Sequence, residues 1–289
     1  MTPQRICIIG VGLLGGSVGL AAKSRLAGCE VVGWGHRRST LVRARAIGAI
    51  DRIAPAPQQA VAGASLVVLC TPVGVFETVL REMSPHLAPG TIVTDVGSTK
   101  RSVVELAGRL LPAGVHFVGS HPVAGSEKRG IDFARTDLFE NALCITTPDG
   151  RTDARALRTV ERFWRTLGMR VCRLSPVEHD MLLADISHLP HAVAAALVAM
   201  QSEEGMKLAG KGFLDATRIA GGDGRLWRDI LLDNRDNVLA AIGRLKASLA
   251  ELEQLLDPAR GDELAAWLDR AAQRRAQALR RKLREVSPD

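Results

Sequence analysis

A short apolar run, Arg5 to Ile9, feeds directly into Gly10-Val11-Gly12-Leu13-Leu14-Gly15-Gly16-Ser17, and a helical stretch from Val18 to Leu26 follows. Few folds accept this order. Glycine spacing of the form G-x-G-x-x-G between a strand and a helix belongs to the first turn of a dinucleotide-binding α/β sheet. Gly10 makes the tight turn, Gly12 lets the backbone approach a pyrophosphate, and Gly15 lets the helix pack close to the strand. Leu13 and Leu14, in the same turn, are expected to meet the cofactor, whose phosphate would sit on the helix N-terminus, where free N–H groups and the dipole favour an anion. A glycine-rich turn without a ligand is the alternative. The strand before and the helix after argue for the cofactor.

The next apolar strand, Glu30 to Gly35, ends in His36-Arg37-Arg38-Ser39. A site for NAD usually has a carboxylate here to bind the ribose 2′-hydroxyl. None is present, and a guanidinium pairs well with a 2′-phosphate. The pattern predicts NADP in preference to NAD. The other reading leaves Arg37 and Arg38 over the adenine or in solvent, with NAD accepted. Ala64 to Cys70 reads as a buried parallel strand that delivers Thr71-Pro72-Val73 to the cofactor. Short strands are also expected at Ile50 to Ile53, Leu143 to Thr147 and Met169 to Leu174. Thr91 to Val96 is another strand, leading into Asp95-Val96-Gly97-Ser98-Thr99-Lys100. Ser98 or Thr99 either caps the following helix, Arg101 to Leu111, or turns a hydroxyl towards substrate.

Val115 to Val118 predicts a strand, and Gly119 to Gly130 a polar loop containing His121, Pro122, Glu127, Lys128 and Arg129. Pro122 holds His121 extended. A polar loop at the carboxyl end of a strand is where open α/β sheets place their chemistry. His121 is therefore either an active-site residue or a solvated turn histidine. From Ser175 strand-like runs stop and helical stretches begin. Pro190, inside an apolar helix, is expected to break or kink it near Leu189. His188 and His191 flank that proline, so His191 either lines a cavity or is a satisfied core residue. Arg218 lies in a mostly apolar segment and needs an anion, which is Asp215 or a substrate carboxylate. Trp227 opens a further helix. Long amphipathic helices follow at Asn237 to Leu256 and at Gly261 to Val286.

Composition narrows the classes. The 289 residues, 46% hydrophobic and 24% charged, describe a globular protein with room for two domains. These are expected at 1–174 and 175–289. No apolar run approaches the ~20 residues of a membrane span. The start has no signal-peptide layout, so the cytoplasm is expected. The five cysteines are odd in number and widely spaced, which suits free thiols in a reducing compartment. Metal-ligand spacing is absent, so no metal is expected. The net charge of +7 is concentrated between Leu268 and Arg284. With aromatics at only 3%, this stretch reads as a solvated helix, not a nucleic-acid surface.

These motifs, in this order, resemble the prephenate/arogenate (cyclohexadienyl) dehydrogenase family of tyrosine biosynthesis. The resemblance runs over nearly the whole chain. It is carried by the glycine turn, Thr71-Pro72-Val73, Asp95 to Lys100, Gly119 to Glu127, Ser187-His188-Leu189-Pro190-His191, Asp215 to Ala220 and Trp227-Arg228-Asp229. It implies an α/β Rossmann-type dinucleotide-binding domain and an all-α domain whose C-terminal helices form a homodimer. It implies NAD(P)-dependent oxidative decarboxylation of a small dicarboxylate, prephenate to 4-hydroxyphenylpyruvate or arogenate to tyrosine. Residue by residue, His121 is implied as the base for the ring hydroxyl and Ser98 as its holder. Arg218 is implied as the carboxylate partner, His191 and Trp227 as pocket residues, and Glu127 as a residue at the pocket mouth. From the length, no fused mutase or regulatory domain is expected. A β-hydroxyacid or imine reductase, which generally relies on a lysine or aspartate in its helical part, is the nearest alternative. A dinucleotide sensor without turnover is another, but would not need His121, Ser98 and Arg218 together.

Overall fold

The computed structural model describes residues 3–124 and 128–286, with side chains through Arg281. Strands β1 (Arg5–Ile9), β2 (Glu30–Trp34), β3 (Arg52–Ile53), β4 (Leu66–Leu69), β5 (Ile92–Asp95), β6 (His116–Val123), β7 (Leu143–Thr147) and β8 (Arg170–Arg173) form one sheet. Their order is β3-β2-β1-β4-β5-β6-β7-β8. The first six are parallel, while β6 pairs antiparallel with β7 and β7 parallel with β8. The order reverses between β1 and β4. Open α/β sheets bind ligands outside the carboxyl ends of the strands at such a reversal.

Alternation along β1 explains the two layers of the core. Ile6 and Ile8 point to one face, where Val18 and Ala22 of α1 (Leu13–Arg25) and Leu41 of α2 (Arg38–Ala46) meet them. Cys7 and Ile9 point to the other face. There they meet Val61 of α3 (Pro57–Val61), Phe76 of α4 (Phe76–Met83) and Val103 of α5 (Arg101–Leu110). A strand buried on both faces reads as a continuous apolar run, as β1 and β4 do. α6 (Ala154–Thr166) completes the first face, with Trp164 fully buried.

Two expectations change here. The segment after Val118 is not a loop from Gly119 onwards. β6 continues through His121 and Pro122 to Val123, paired with β7 in the register His121↔Ile145. Pairing with β5 stops at Val118, so Pro122 lies where β6 runs past its parallel neighbour. A residue without an N–H is tolerated on such an overhang. The strand expected at Ile50 to Ile53 is only Arg52–Ile53.

After Ser175 the chain is helical: α7 (Pro176–Leu183), α8 (Leu189–Ala199), α9 (Glu203–Lys207), α10 (Lys211–Thr217) and α11 (Gly224–Asp233). Pro190 does not break the helix. A π-helical turn, Ala184–His188, joins α7 to α8, and Pro190 falls in the first turn of α8, where its missing N–H is least needed. The helical run from Pro176 to Ala199 is thus uninterrupted. Contrary to the sequence expectation, it is long and apolar enough by length and composition to cross a membrane. Val177, Met181, Leu182 and Ile186 on it are exposed.

α12 (Arg235–Leu255) and α13 (Gly261–Val286) belong to a second compact unit that begins at Asp236. An ion pair, Arg260–Glu263 at 2.6 Å, closes the turn between them. The α13 cations Arg270, Arg274, Arg275, Arg280 and Arg281 are exposed.

Candidate active site

The glycine turn has the shape a pyrophosphate needs. Gly10 takes φ +96°, and a Cβ there would lie 2.8 Å from Cys70 and Thr71. A Cβ on Gly15 would lie 2.1 Å from the Gly10 carbonyl oxygen. At Gly12 a Cβ would meet nothing within 4 Å, so the open side of the turn is there. Gly12 is also the N-cap of α1, which has no side-chain cap and no acid in its first turn. Its N–H groups are left for an anion. Thr71 Oγ1, alongside, is buried without a hydrogen-bond partner. These features fit a dinucleotide. His36, Arg37 and Arg38 follow β2 and are exposed; the His36 ring edges onto Trp34.

At the carboxyl ends of β5 and β6 a buried ion pair organises the backbone. Asp95 and Lys100 are fully buried and paired. Asp95 also accepts from Gly97 N at 2.8 Å and from Ser120 N at 2.9 Å. It thereby fixes the Ser98 turn and the strand position next to His121. Neither Ser98 nor Thr99 caps α5. That task falls to Asp180 of α7, whose carboxylate accepts from Lys100 N at 2.8 Å and Arg101 N at 2.9 Å. Ser98 is left half-buried, with its hydroxyl in no hydrogen bond among the described residues.

The neighbour of Asp180 completes a chain of contacts. His121 Nδ1 lies 2.9 Å from His179 Nε2, and His179 Nδ1 lies 2.8 Å from Asp180 Oδ1. Burial, then the neighbouring charges of His179, Lys100 and His188, holds His121 well below the usual histidine range. It is neutral at pH 7 and able to accept a proton. Burial alone would raise the Asp180 carboxyl, but hydrogen bonds from His179 and the Arg101 and Lys100 amides override it and keep the group ionised.

The amide of Asn234 extends the network. Its Nδ2 donates to the Asp180 carbonyl at 2.7 Å, which fixes the orientation of the amide, and lies 3.1 Å from His188 Nδ1. The proton of neutral His188 therefore resides on Nε2, a buried atom with no partner. Burial pushes His188 down to about 4. His191 stacks on Trp227, with centroids 3.5 Å apart, and its buried Nδ1 also lacks a partner. Trp227 meets the His188 ring edge-on. Aromatic, imidazole and carboxylate groups thus form one continuous cluster at the carboxyl ends of β5 and β6.

Two sequence models tile the chain: prephenate dehydrogenase, nucleotide-binding domain, over residues 18–173, and prephenate dehydrogenase, dimerization domain, over residues 175–270. The chain belongs to the prephenate dehydrogenase family. Among curated members of this family, the prephenate dehydrogenase of Bacillus subtilis is 39% identical over 241 residues, 81% of this chain. The match spans only 65% of the Bacillus protein's length. The cyclohexadienyl dehydrogenase of Zymomonas mobilis is 35% identical over 90% of this chain and 91% of its own. The crystal structure of the Aquifex aeolicus prephenate dehydrogenase in complex with hydroxyphenyl propionate and NAD+ superposes with a TM-score of 0.90. It is 33% identical, covering 96% of this chain and 99% of that one. Membership fits the architecture, a Rossmann-type α/β sheet followed by helices.

Against this family frame, the sequence-derived residues divide. His121, His191 and Trp227 enter the cluster, and Ser98 sits on the turn that Asp95 fixes. Gly10, Gly12, Leu13, Leu14, Gly15, Thr71, Pro72 and Val73 line the carboxyl edges of β1 and β4. Arg218 is exposed, on a 3₁₀ turn after α10, instead of semi-buried as expected. Glu127 lies outside the described residues. Sequence reasoning missed His179, Asp180, Asn234, Asp95 and Lys100. The available signal was Glu178-His179-Asp180 in the first turns of an apolar helix, where a buried carboxylate must find donors.

Proposed function

We propose that the chain catalyses NAD(P)-dependent oxidative decarboxylation of prephenate to 4-hydroxyphenylpyruvate, or of arogenate to tyrosine. The observation that carries this reading is the neutral, half-buried His121, whose neighbour Ser120 is held by the same Asp95 that fixes the Ser98 turn, at the sheet edge that also bears the open glycine turn. A bound nicotinamide dinucleotide supplies the hydride acceptor. His121 takes the proton of the ring hydroxyl as that oxygen becomes a carbonyl, and Ser98 orients the same hydroxyl. The ring carboxylate leaves as CO₂ and the ring becomes aromatic, so the driving force belongs to the substrate. The protein contributes alignment and one base. Arg218 pairs with a substrate carboxylate, His191 and Trp227 line the pocket, and Glu127 stands at its mouth. Gly10 to Gly15 and Thr71 to Val73 hold the cofactor.

NADP is the preferred cofactor in this reading, because Arg37 and Arg38 replace the acid expected after β2 and enter no ion pair among the described residues. The nucleotide-binding domain is assigned to 1–174 and the dimerising helical domain to 175–289. The protein works as a cytoplasmic homodimer, with neither nucleic acid nor membrane as partner. The test is a steady-state assay with both substrates and both cofactors, on the wild type and on His121→Asn. The substitution should lower kcat by about 10²-fold or more while dinucleotide binding survives. Activity within about tenfold of wild type would remove His121 as the base. A higher kcat/KM with NAD than with NADP would make Arg37 and Arg38 bystanders.

A further inference from the structure

His121 has two ring nitrogens, and only one can be the base. We propose that His179 and Asp180 are positioning residues that hold neutral His121 with its proton on Nδ1, leaving the lone pair on Nε2. The inference rests on the proposed role of His121 and extends it to two residues outside the motif that carries that histidine.

Each contact in the chain fixes the proton position of the next. Asp180 receives two backbone N–H groups, from Lys100 and Arg101, so it is present as a carboxylate and can only accept. Its contact of 2.8 Å with His179 Nδ1 therefore places a proton on that nitrogen. Neutral His179 then has a bare Nε2, and this atom faces His121 Nδ1 at 2.9 Å. The opposite tautomer of His121 would set two lone pairs against each other at that distance. With Nδ1 protonated, Nε2 is the only site that can receive a proton. When it does, the O–H bond of the substrate breaks, an N–H bond forms on Nε2, and the Nδ1–H hydrogen bond to His179 persists. A base oriented by a second group, which is in turn held by a carboxylate, is a recurring arrangement in proton-transfer enzymes.

The charges around His121 come from four elements. β5 and the turn after it bring Asp95 and Lys100, a buried ion pair whose cationic end disfavours a charged His121. α7 brings His179 and the Asp180 carboxylate, and the π-helical turn brings neutral His188. Asp180 reaches His121 only through His179, and this relay of hydrogen bonds orients the imidazole. Asp180 is immobile in its own right, because it caps α5 and its carbonyl is held by Asn234.

The first measurement needs no turnover. Nitrogen-15 spectra of the histidine-labelled full chain, assigned by comparison with His121→Asn, should show His121 protonated on Nδ1 and bare on Nε2 near neutral pH. A proton on Nε2 overturns the proposal. The second compares His179→Phe with His179→Gln, whose side-chain carbonyl can still accept from Nδ1–H. The Phe variant should lose about 100-fold in kcat with KM within about threefold, and the Gln variant should recover to within about tenfold of wild type. A Phe variant within about threefold of wild type, or a Gln variant no better than Phe, refutes it. If the Phe variant does not fold, the spectra alone decide. If the wild type oxidises neither prephenate nor arogenate, the functional reading fails, and the spectra still settle the tautomer.

Discussion

Two glycines of one turn carry different constraints, and substitution separates them. At Gly15 an added methyl would strike the Gly10 carbonyl oxygen at 2.1 Å, a backbone contact with no room to yield. Gly15→Ala should destabilise the fold by about 1–3 kcal/mol, the usual range for overpacking, as measured by denaturant unfolding. At Gly12 the same methyl meets no protein atom within 4 Å. Gly12→Ala should leave the unfolding midpoint unchanged while weakening dinucleotide binding on the order of tenfold, measured by calorimetric titration. A Gly12→Ala protein that binds like wild type would mean that the pyrophosphate does not sit there. These positions were legible in the sequence because the pattern that marks them lies within six residues, although some of the atoms that crowd them come from Cys70 and Thr71. His121 was legible for the same reason, through its Gly-Ser-His-Pro setting. His179 and Asp180 were not, because their partners lie 58 and about 80 positions away along the chain, and no local pattern encodes such a pairing.

The π-helical turn and its flanking helices gather His179, His188 and His191, all shifted downwards chiefly by burial. A histidine whose folded value is depressed binds fewer protons than its unfolded counterpart at every pH between the two values. Stability should therefore be full above about pH 6.5 and fall as the medium is acidified towards about pH 4, where His188 titrates in the fold. For His188 alone the loss is on the order of 3 kcal/mol. Asp180, depressed in the fold, adds a further loss below about pH 4. Urea melts between pH 4 and 7 should show the slope, and His188→Gln should flatten it. An unchanged slope in that variant would place the acid sensitivity elsewhere. Sequence periodicity located these helices but expected a break at Pro190. Proline preceded by a wide π turn continues the helical run, and pattern alone does not distinguish this from a break. β6 was shortened for the same kind of reason, since Gly119 and Pro122 are turn residues locally and strand residues only through pairing with β7.

At the scale of the molecule, the exposed apolar residues of the helical run are the main unexplained surface of a single chain. Ile186 is 71% exposed and Val177 58%, and large apolar side chains left in solvent along one helical run call for a covering partner. The dimerization domain that the family contributes includes this run. Light scattering should give twice the chain mass at micromolar concentration, and Ile186→Glu should shift it towards the monomer. A monomeric wild type would leave this face to another partner. The order of layers and the division of labour between sheet and helices were readable from sequence, because they follow from hydrophobic period. The inter-element capping of α5 was not, and it has a temporal consequence. A ribosome releases the sheet before the helices, so a growing chain can complete its nucleotide cradle while His121 still lacks the imidazole behind it and α5 lacks its cap. The half-made protein has the glycine turn without the relay behind His121, and that relay is complete only when synthesis has passed Asn234, which holds the Asp180 carbonyl.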